Sequence, residues 1–333
     1  MTNIEQATAP SGAAQAAPRR WRGLRGPLAA LVLALALAAW GAGIGSVASV
    51  SIMSLVLMYV ALAQGWNLLG GYAGYVNFGT VTFFGIGAYT TAIASTDWHL
   101  PPLATVPLAA VTAGLAAVLI GVPALRLRGG YFAITTFVLT LAVQALALVL
   151  PITNGSTGII VPGIGTSIAT ATRIFFLLFL ALSVVATGLC LFVDRTRWRG
   201  ALVAIREDED AAEVLGLPTT ALKSAALIVG SVIAGVAGSF YATQLFYIEP
   251  IGTFDFNISL AVVVAAVIGG SGTWFGPVIG AVVVELLAQE LFIHVQGVYS
   301  ELAYGALLVI VVLVAPRGLM GLAQGFPRKR VRA

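Results

Sequence analysis

Apolar residues along this chain neither alternate nor recur with the spacing of a one-sided helix; they run in unbroken blocks. The blocks cover about 28–48, 50–69, 79–96, 103–122, 131–150, 174–193, 224–246, 258–269, 277–295 and 299–315. A hydrocarbon layer about 30 Å thick takes roughly 20 helical residues to cross. Within it every backbone amide must find its partner in the same segment or in a closed barrel. Continuous apolar runs, rather than period-two alternation, select helices over a barrel. The pattern predicts an all-α polytopic membrane protein with about ten transmembrane helices. The block at 258–269 is short for a crossing and points to a broken helix.

What separates the blocks is less uniform. Residues 1–26 carry Ala, Pro, Ser, Thr and Gln followed by "RRWRGLR" and predict a disordered basic tail. A signal peptide is a second reading of this region, with small residues in "AAWGAG", but a retained first helix suits the length better. "GGYAGYVNFGT" (70–80) and "GGSGTWFGP" (269–277) are Gly-rich, uncharged and abut apolar blocks directly. Such stretches are either tight helical-hairpin turns or unwound backbone lining a pathway. The candidate pathway residues are therefore Gly71, Tyr72, Gly74, Asn77, Gly79, Phe83 and Phe84 in the first, with Gly269, Gly270 and Gly272 in the second. Gly272/Gly276, Gly276/Gly280 and Ala234/Gly238 are small residues four apart, the spacing that lets helices approach closely.

Composition sharpens this picture. Hydrophobic residues make up 59% of the chain and charged residues 9%, and the mean hydropathy is +1.00. The net charge of +4 could suggest nucleic acid, but the basic residues sit in short loops and tails, which is a topology signal. With the N-terminus inside and ten crossings, sixteen of the seventeen basic residues fall on the cytoplasmic side and only Arg173 outside. Both termini are then cytoplasmic, with a permease domain over 27–320, a cytoplasmic loop at 194–222 and a basic tail at 321–333. One cysteine and two histidines exclude an intrachain disulfide and a Cys/His zinc site; no metal or nucleic acid is expected.

The loop is the exception to the greasy character of the chain. Asp194 to Lys223 holds eleven of its thirty formal charges. Helix-forming composition from Ala201 to Leu215, stopped by Gly216 and Pro218, predicts one short helix against the cytoplasmic face. Its carboxylates Glu207, Asp208, Glu209, Asp210 and Glu213 repel one another and an anionic leaflet, so they need water or a basic partner. A solvated loop and a docking element both meet that need.

Residue order favours the second. "DAAEVLG" (210–216) resembles the cytoplasmic coupling motif of ABC importer permeases, with Asp210 where that family often has Glu. The segments 71–93, "LRLRGGYFAITT" (125–136), "NGSTGI" (154–159), 200–216 and "VIGGSGTWFGPVIGA" (267–281) together resemble successive signatures of the LivM-type permease of branched-chain amino acid ABC importers. Thr80, Ser271, Trp274 and Phe275 depart from the usual pattern, which loosens substrate identity more than subunit identity. The resemblance implies a homologous second permease, two ATP-binding cassette subunits, a periplasmic or lipid-anchored binding protein and a bacterial inner-membrane location. It makes Arg206, Glu207, Asp208, Glu209, Asp210, Ala211, Ala212, Glu213 and Gly216 the element that couples to the ATPase. No cofactor is expected in the chain itself: "GLPTTALKS" ends like a phosphate loop, but Leu222 replaces the glycine needed before the lysine, so ATP belongs to partner subunits.

Glu285 is the remaining outlier. A carboxylate near the middle of the ninth block costs on the order of 2.5 kcal/mol or more to insert, so it either lines the pathway or holds a structural hydrogen bond, with Gln289 one turn on. It would also be the ion site if the chain were an ion-coupled secondary transporter, a reading that leaves the acidic helix without a task. A membrane enzyme is disfavoured because no His, Asp and Cys set clusters near the blocks. Within the ABC class, a urea or short-amide importer is the alternative to amino acids.

Overall fold

The computed structural model describes residues 25–43, 45–294 and 305–306. Most of the predicted N-terminal tail, most of the tenth block and the C-terminal tail lie outside the described residues. The helices are α1 (Arg25–Gly43), α2 (Val47–Trp66), α3 (Thr80–Thr96), α4 (Val106–Ala116), α5 (Val122–Ala124), α6 (Gly130–Val149), α7 (Ile168–Arg195), α8 (Arg197–Glu207), α9 (Glu209–Val214), α10 (Thr219–Leu245), α11 (Pro250–Thr253), α12 (Phe256–Gly270) and α13 (Gly276–His294). Among the described residues, six helical runs are long and apolar enough to cross a membrane: Val47–Gly71, Pro102–Ala124, Gly130–Val149, Ile168–Arg195, Thr219–Leu245 and Pro250–Gly270. The first, third and ninth predicted blocks correspond to α1, α3 and α13.

The eighth block is longer than expected. Its helical run begins at Pro250, turns a corner at Phe254 and continues through α12, 21 residues in all. Thr253, Asp255 and Asn257 interrupt the apolar pattern there. Asp255 is the N-cap of α12, its side chain accepting from Asn257 N at 2.9 Å, so a polar residue marks a helix start rather than a membrane boundary.

Small residues let α10 sit against three other helices. Gly230 faces Gly65 of α2, Gly235 lies under Ala113 of α4, and Gly238 lies under the Phe84 carbonyl of α3. A methyl on Gly238 would fall 1.9 Å from that oxygen. The other spaced glycines, Gly276 and Gly280, close an α12–α13 hairpin on Gly269 and Ala265. Phe175, Phe176 and Phe179 of α7 fill the interior beside α2 and α10, while Ile134, Val138 and Val149 of α6 face outward, as a lipid-facing surface requires. At one end of the bundle Ile159–Ile160 pairs antiparallel with Tyr247–Ile248. At the other lie both Gly-rich segments and α8–α9.

The two Gly-rich segments differ in kind. The second is the bend of a tight helical hairpin. In the first, α2 runs into a π-helical turn over Asn67–Gly71, and the chain is unwound from Gly74 to Gly79 before α3 begins at Thr80. Helical turns of the π type gather at functional sites.

Candidate functional site

The acidic segment is two helices, not the single helix expected over 201–215. The chain breaks at Asp208, whose extended backbone lets its carboxylate accept from Ala211 N at 3.0 Å and cap α9. Glu209 and Asp210 then occupy the first turn of α9, where the positive end of the helix dipole suits them. A capping residue inside a helix-forming run divides it, and hydropathy carries no sign of that. Gly216, at φ +82°, ends the segment as predicted. Of the apolar residues in and just after α9, Ala212 is buried, while Ala211, Val214 and Leu215 are exposed.

Three basic residues take up three of the five carboxylates, Glu207, Glu209 and Asp210. Lys223, at the start of α10, is 3% exposed; it donates to Glu209 Oε1, to the Tyr75 hydroxyl at 3.0 Å, and lies 4.6 Å from the centre of the Tyr75 ring. Tyr75 in turn donates to Glu209 Oε2. Arg128 reaches Asp210 at 2.6 Å and Glu209 at 3.7 Å from the exposed side. Glu213 accepts from Thr219 Oγ1 at 2.6 Å, and the exposed Glu207 accepts from Arg206 at 3.2 Å. Burial alone would raise the Glu209 pKa, but the bonds from Lys223 and Tyr75 and the charges of Lys223 and Arg128 outweigh it and hold the carboxyl below the ordinary carboxylate range. A depressed folded-state pKa makes the stabilisation present above the unfolded value; it is lost only as pH falls through the lower, folded one. Removing one member of a buried pair of this kind costs on the order of 3 kcal/mol.

Arg206, in the last turn of α8, joins the two Gly-rich segments. Its Nη1 donates to the Gly71 carbonyl at 3.3 Å and lies beside Gly272, and its stem covers Gly74. Gly74, at φ +76°, leaves no room for a side chain: a Cβ would sit 2.4 Å from Arg206 Cγ. Below this, two fully buried amides, Gln64 of α2 and Asn67 of the π-helical turn, hold the hairpin bend. Asn67 accepts from Gly272 N at 2.8 Å and donates to the Thr273 carbonyl at 2.9 Å; Gln64 donates to the Trp274 carbonyl at 2.7 Å. Gln64, Asn67, Tyr75 and Lys223 were not singled out from the sequence. The signal for the first two was there, since amides three apart on one face of an apolar block need internal partners.

The other candidates are placed as follows. The Tyr72 hydroxyl donates to the Cys190 carbonyl at 3.2 Å, and Asn77 accepts from Gly79 N at 2.8 Å while its carbonyl takes the Trp66 indole N–H at 2.8 Å. Phe83 and Phe84 are buried within the bundle, Phe84 against Tyr241 with ring centres 5.2 Å apart. Gly269 and Gly270 close α12. The structure thus gathers Gly71, Gly74, Gly272 and Arg206 at one point, and sets Phe83 and Phe84 apart from it. Among the described residues no group of His, Cys, Asp and Glu is arranged to hold a metal.

A family profile described as "Branched-chain amino acid transport system / permease component" matches residues 48–312. The chain belongs to that family. It is 33% identical over 301 residues to the high-affinity branched-chain amino acid transport system permease protein LivM of Salmonella typhimurium, covering 82% of this chain and 70% of the relative. LivM of Escherichia coli is 31% identical over the same shares, and BraD of Pseudomonas aeruginosa 27% identical over 79% of this chain and 91% of its own. A shorter match, 28% over 134 residues, reaches LivH of E. coli. No solved structure matches. The LivM-type resemblance carried by the motifs therefore holds over residues 48–312, and the unwound first segment, the hairpin bend and α8–α9 all fall inside that span.

Glu285 lies apart from this point on α13, 5% exposed, and accepts from Gln289 Nε2 at 2.8 Å. An amide at this position keeps an acceptor for that bond, so Glu285→Gln should leave ATP-driven uptake within about twofold of the parent. A larger loss, with the folded yield unchanged, would assign the carboxylate to the pathway.

Proposed function

We propose that this chain is the membrane-spanning permease of an ATP-driven importer of branched-chain amino acids. It works with a homologous second permease, two ATP-binding cassette subunits that bind and hydrolyse ATP, and a periplasmic or lipid-anchored binding protein. Membership of a family whose relatives carry that transport in their names supports the substrate class; the match to both LivM and LivH supports the pairing of permeases. The observation that carries the mechanism is the position of α8–α9, which rests through Arg206 and Glu209 on both Gly-rich segments at once.

The α8–α9 end faces the cytoplasm of a bacterial inner-membrane protein with ten crossings. The charges favour this orientation: Arg126, Arg128, Arg195, Arg197, Arg199, Arg206 and Lys223 all flank that end, whereas Arg173 lies in the first turns of α7, at the other. ATP-driven closure of the partner subunits then displaces α8–α9, and the bundle passes between inward-open and outward-open arrangements as packed helices slide and rotate. A zwitterionic substrate with an apolar tail needs free backbone dipoles for its charged ends. The unwound Gly74–Gly79 stretch offers backbone outside any helix beside the Gly272 bend, although the Tyr75, Phe78 and Gly79 N–H groups and the Asn77 and Gly79 carbonyls already hold partners that a substrate would have to replace.

Vesicles holding the permease, its paired permease, the ATPases and the binding protein should accumulate labelled leucine when ATP is supplied inside, and should go on doing so when an uncoupler is added at constant ATP. Collapse with the uncoupler would make the chain an ion-coupled transporter. Accumulation of urea in preference to leucine would move it to the short-amide class.

A further inference from the structure

The contact between α9 and the membrane domain is chemically unlike a surface loop resting on a bundle. Lys223 is 3% exposed and the Glu209 side chain 10%, and the two are joined to each other and to one tyrosine hydroxyl. The three residues come from three places: the start of α10, the start of α9 and the unwound stretch after α2. Phe132 of α6 closes one side of the Tyr75 ring at 5.4 Å between centres, and Arg128 closes the solvent side of Glu209. Holding an α9 of six residues in place does not call for so much. A single cap and the buried Ala212 would dock it. Burying an ammonium and a carboxylate carries a desolvation cost that is recovered only when geometry and additional hydrogen bonds are good, and the tyrosine supplies the additional bond to both.

We propose that Lys223, Glu209 and Tyr75 form a clamp that makes α9 and the unwound Gly74–Gly79 stretch move as one body, so that Tyr75 is the residue through which displacement of α9 reaches the translocation path. This inference rests on the permease reading and specifies the route of its coupling. In the clamp each partner has a distinct task. Glu209 is carried by α9. Tyr75 is the only one of the three on the unwound stretch, and its hydroxyl is bonded to both charged partners. Lys223 anchors both to α10, the helix that also touches α2, α3 and α4. Arg206 adds a second, weaker tie at 3.3 Å to Gly71, just before the unwound stretch. The three residues are positioning residues: none needs to touch substrate or nucleotide.

The clamp can be tested without transport, which separates its failure from failure of the permease reading. Hydrogen exchange of the full chain in nanodiscs should show residues 72–79 and 209–214 losing protection together in Lys223→Met, by at least about tenfold in each, a factor equivalent to ~1.4 kcal/mol. Tyr75→Phe keeps the ring and its packing on Phe132 and removes only the shared hydroxyl. It should loosen 72–79 while 209–214, still held by Lys223 and Arg128, changes less. In the assembled importer the same Tyr75→Phe change should lower leucine imported per ATP hydrolysed while the ATPase subunits remain bound. A purely structural defect would instead lower both activities in proportion to folded protein. Loosening of 209–214 alone in Lys223→Met, or an unchanged import-to-hydrolysis ratio in Tyr75→Phe, would overturn the proposal. If the wild-type assembly imports nothing, the permease reading falls and the exchange data still decide whether the clamp exists.

Discussion

Gly280→Val should leave little or no folded protein in the membrane. A Cβ on Gly280 would stand 1.8 Å from the Ala265 carbonyl oxygen and 2.8 Å from Gly269 N. Both are backbone atoms of the facing helix, so no rotamer change can relieve the overlap, and α12 and α13 must part. Overpacking a well-packed interior costs about 1–3 kcal/mol when side chains can adjust, and more when only backbone can move. Parting the hairpin also strips Gly272 and Thr273 from Asn67 and Trp274 from Gln64, leaving buried amides without partners. Gly238→Val should behave alike, because its Cβ would lie 1.9 Å from the Phe84 carbonyl. Gly188 of α7 and Gly200 of α8 provide the contrast, having nothing within 4 Å of a built Cβ. Gly188→Ala should fold normally and gain up to ~1 kcal/mol from helix propensity. Size-exclusion profiles of fluorescently tagged variants in detergent check all three. A monodisperse Gly280→Val peak of parental height and parental melting temperature would show that the α12–α13 hairpin is not packed as described.

Ala212→Glu should spare the bundle and cost the chain the ATPase subunits proposed to seat on α9. Ala212 is 2% exposed and is the buried point of α9, whereas Val214 at its end and Leu215 just after it are 88% and 80% exposed. A carboxylate introduced there has no nearby unpaired cation among the described residues, since Lys223 and Arg128 are already engaged with Glu209 and Asp210. It must reach water, and the simplest way is for the six-residue α9 to turn or lift away, carrying Val214 and Leu215 with it. The transmembrane helices do not depend on α9 for their packing on one another. Burying a polar group without a partner costs ~2 kcal/mol or more, so ATPase subunits recovered with the purified permease should drop at least about tenfold. Deleting residues 207–213 should have the same result by removing the element outright. Parental recovery of the subunits together with normal stimulation of hydrolysis would show that α9 is not their seat.

Much of this architecture is written in the order of residues. The blocks at 50–69 and 174–193 correspond to helices Val47–Gly71 and Ile168–Arg195, lengthened mainly by caps and by amphiphilic ends that hydropathy trims. Ser46 and Ser167 accept from Ser49 N and Thr170 N at these helix starts, and such signals are local. The acidic segment was legible as a distinct element, its stop at Gly216 included. Its division at Asp208 was not, because the same residues suit a continuous helix and hydropathy carries no sign that Asp208 turns extended and caps α9. Phe83 and Phe84 beside the Gly-rich stretch read as a wall for an apolar substrate. In the fold the Phe84 ring packs on Tyr241 of α10, while Phe83 lines a small cavity together with Asn77 and Thr80.

Length, hydropathy and the confinement of charge to loops by themselves determined that the chain is a helical membrane protein and which segment stands out as acidic. These are properties of neighbours in sequence, and a bilayer enforces them one helix at a time. Only the tertiary structure decided which helices meet, that the two Gly-rich segments lie together beneath Arg206, and that a lysine counted merely as a basic loop residue is buried against Glu209 and Tyr75. Partners separated by 135 or 148 positions along the chain are chosen by how glycine-scale gaps let α10 settle against α2, α3 and α4, and no local pattern records that choice.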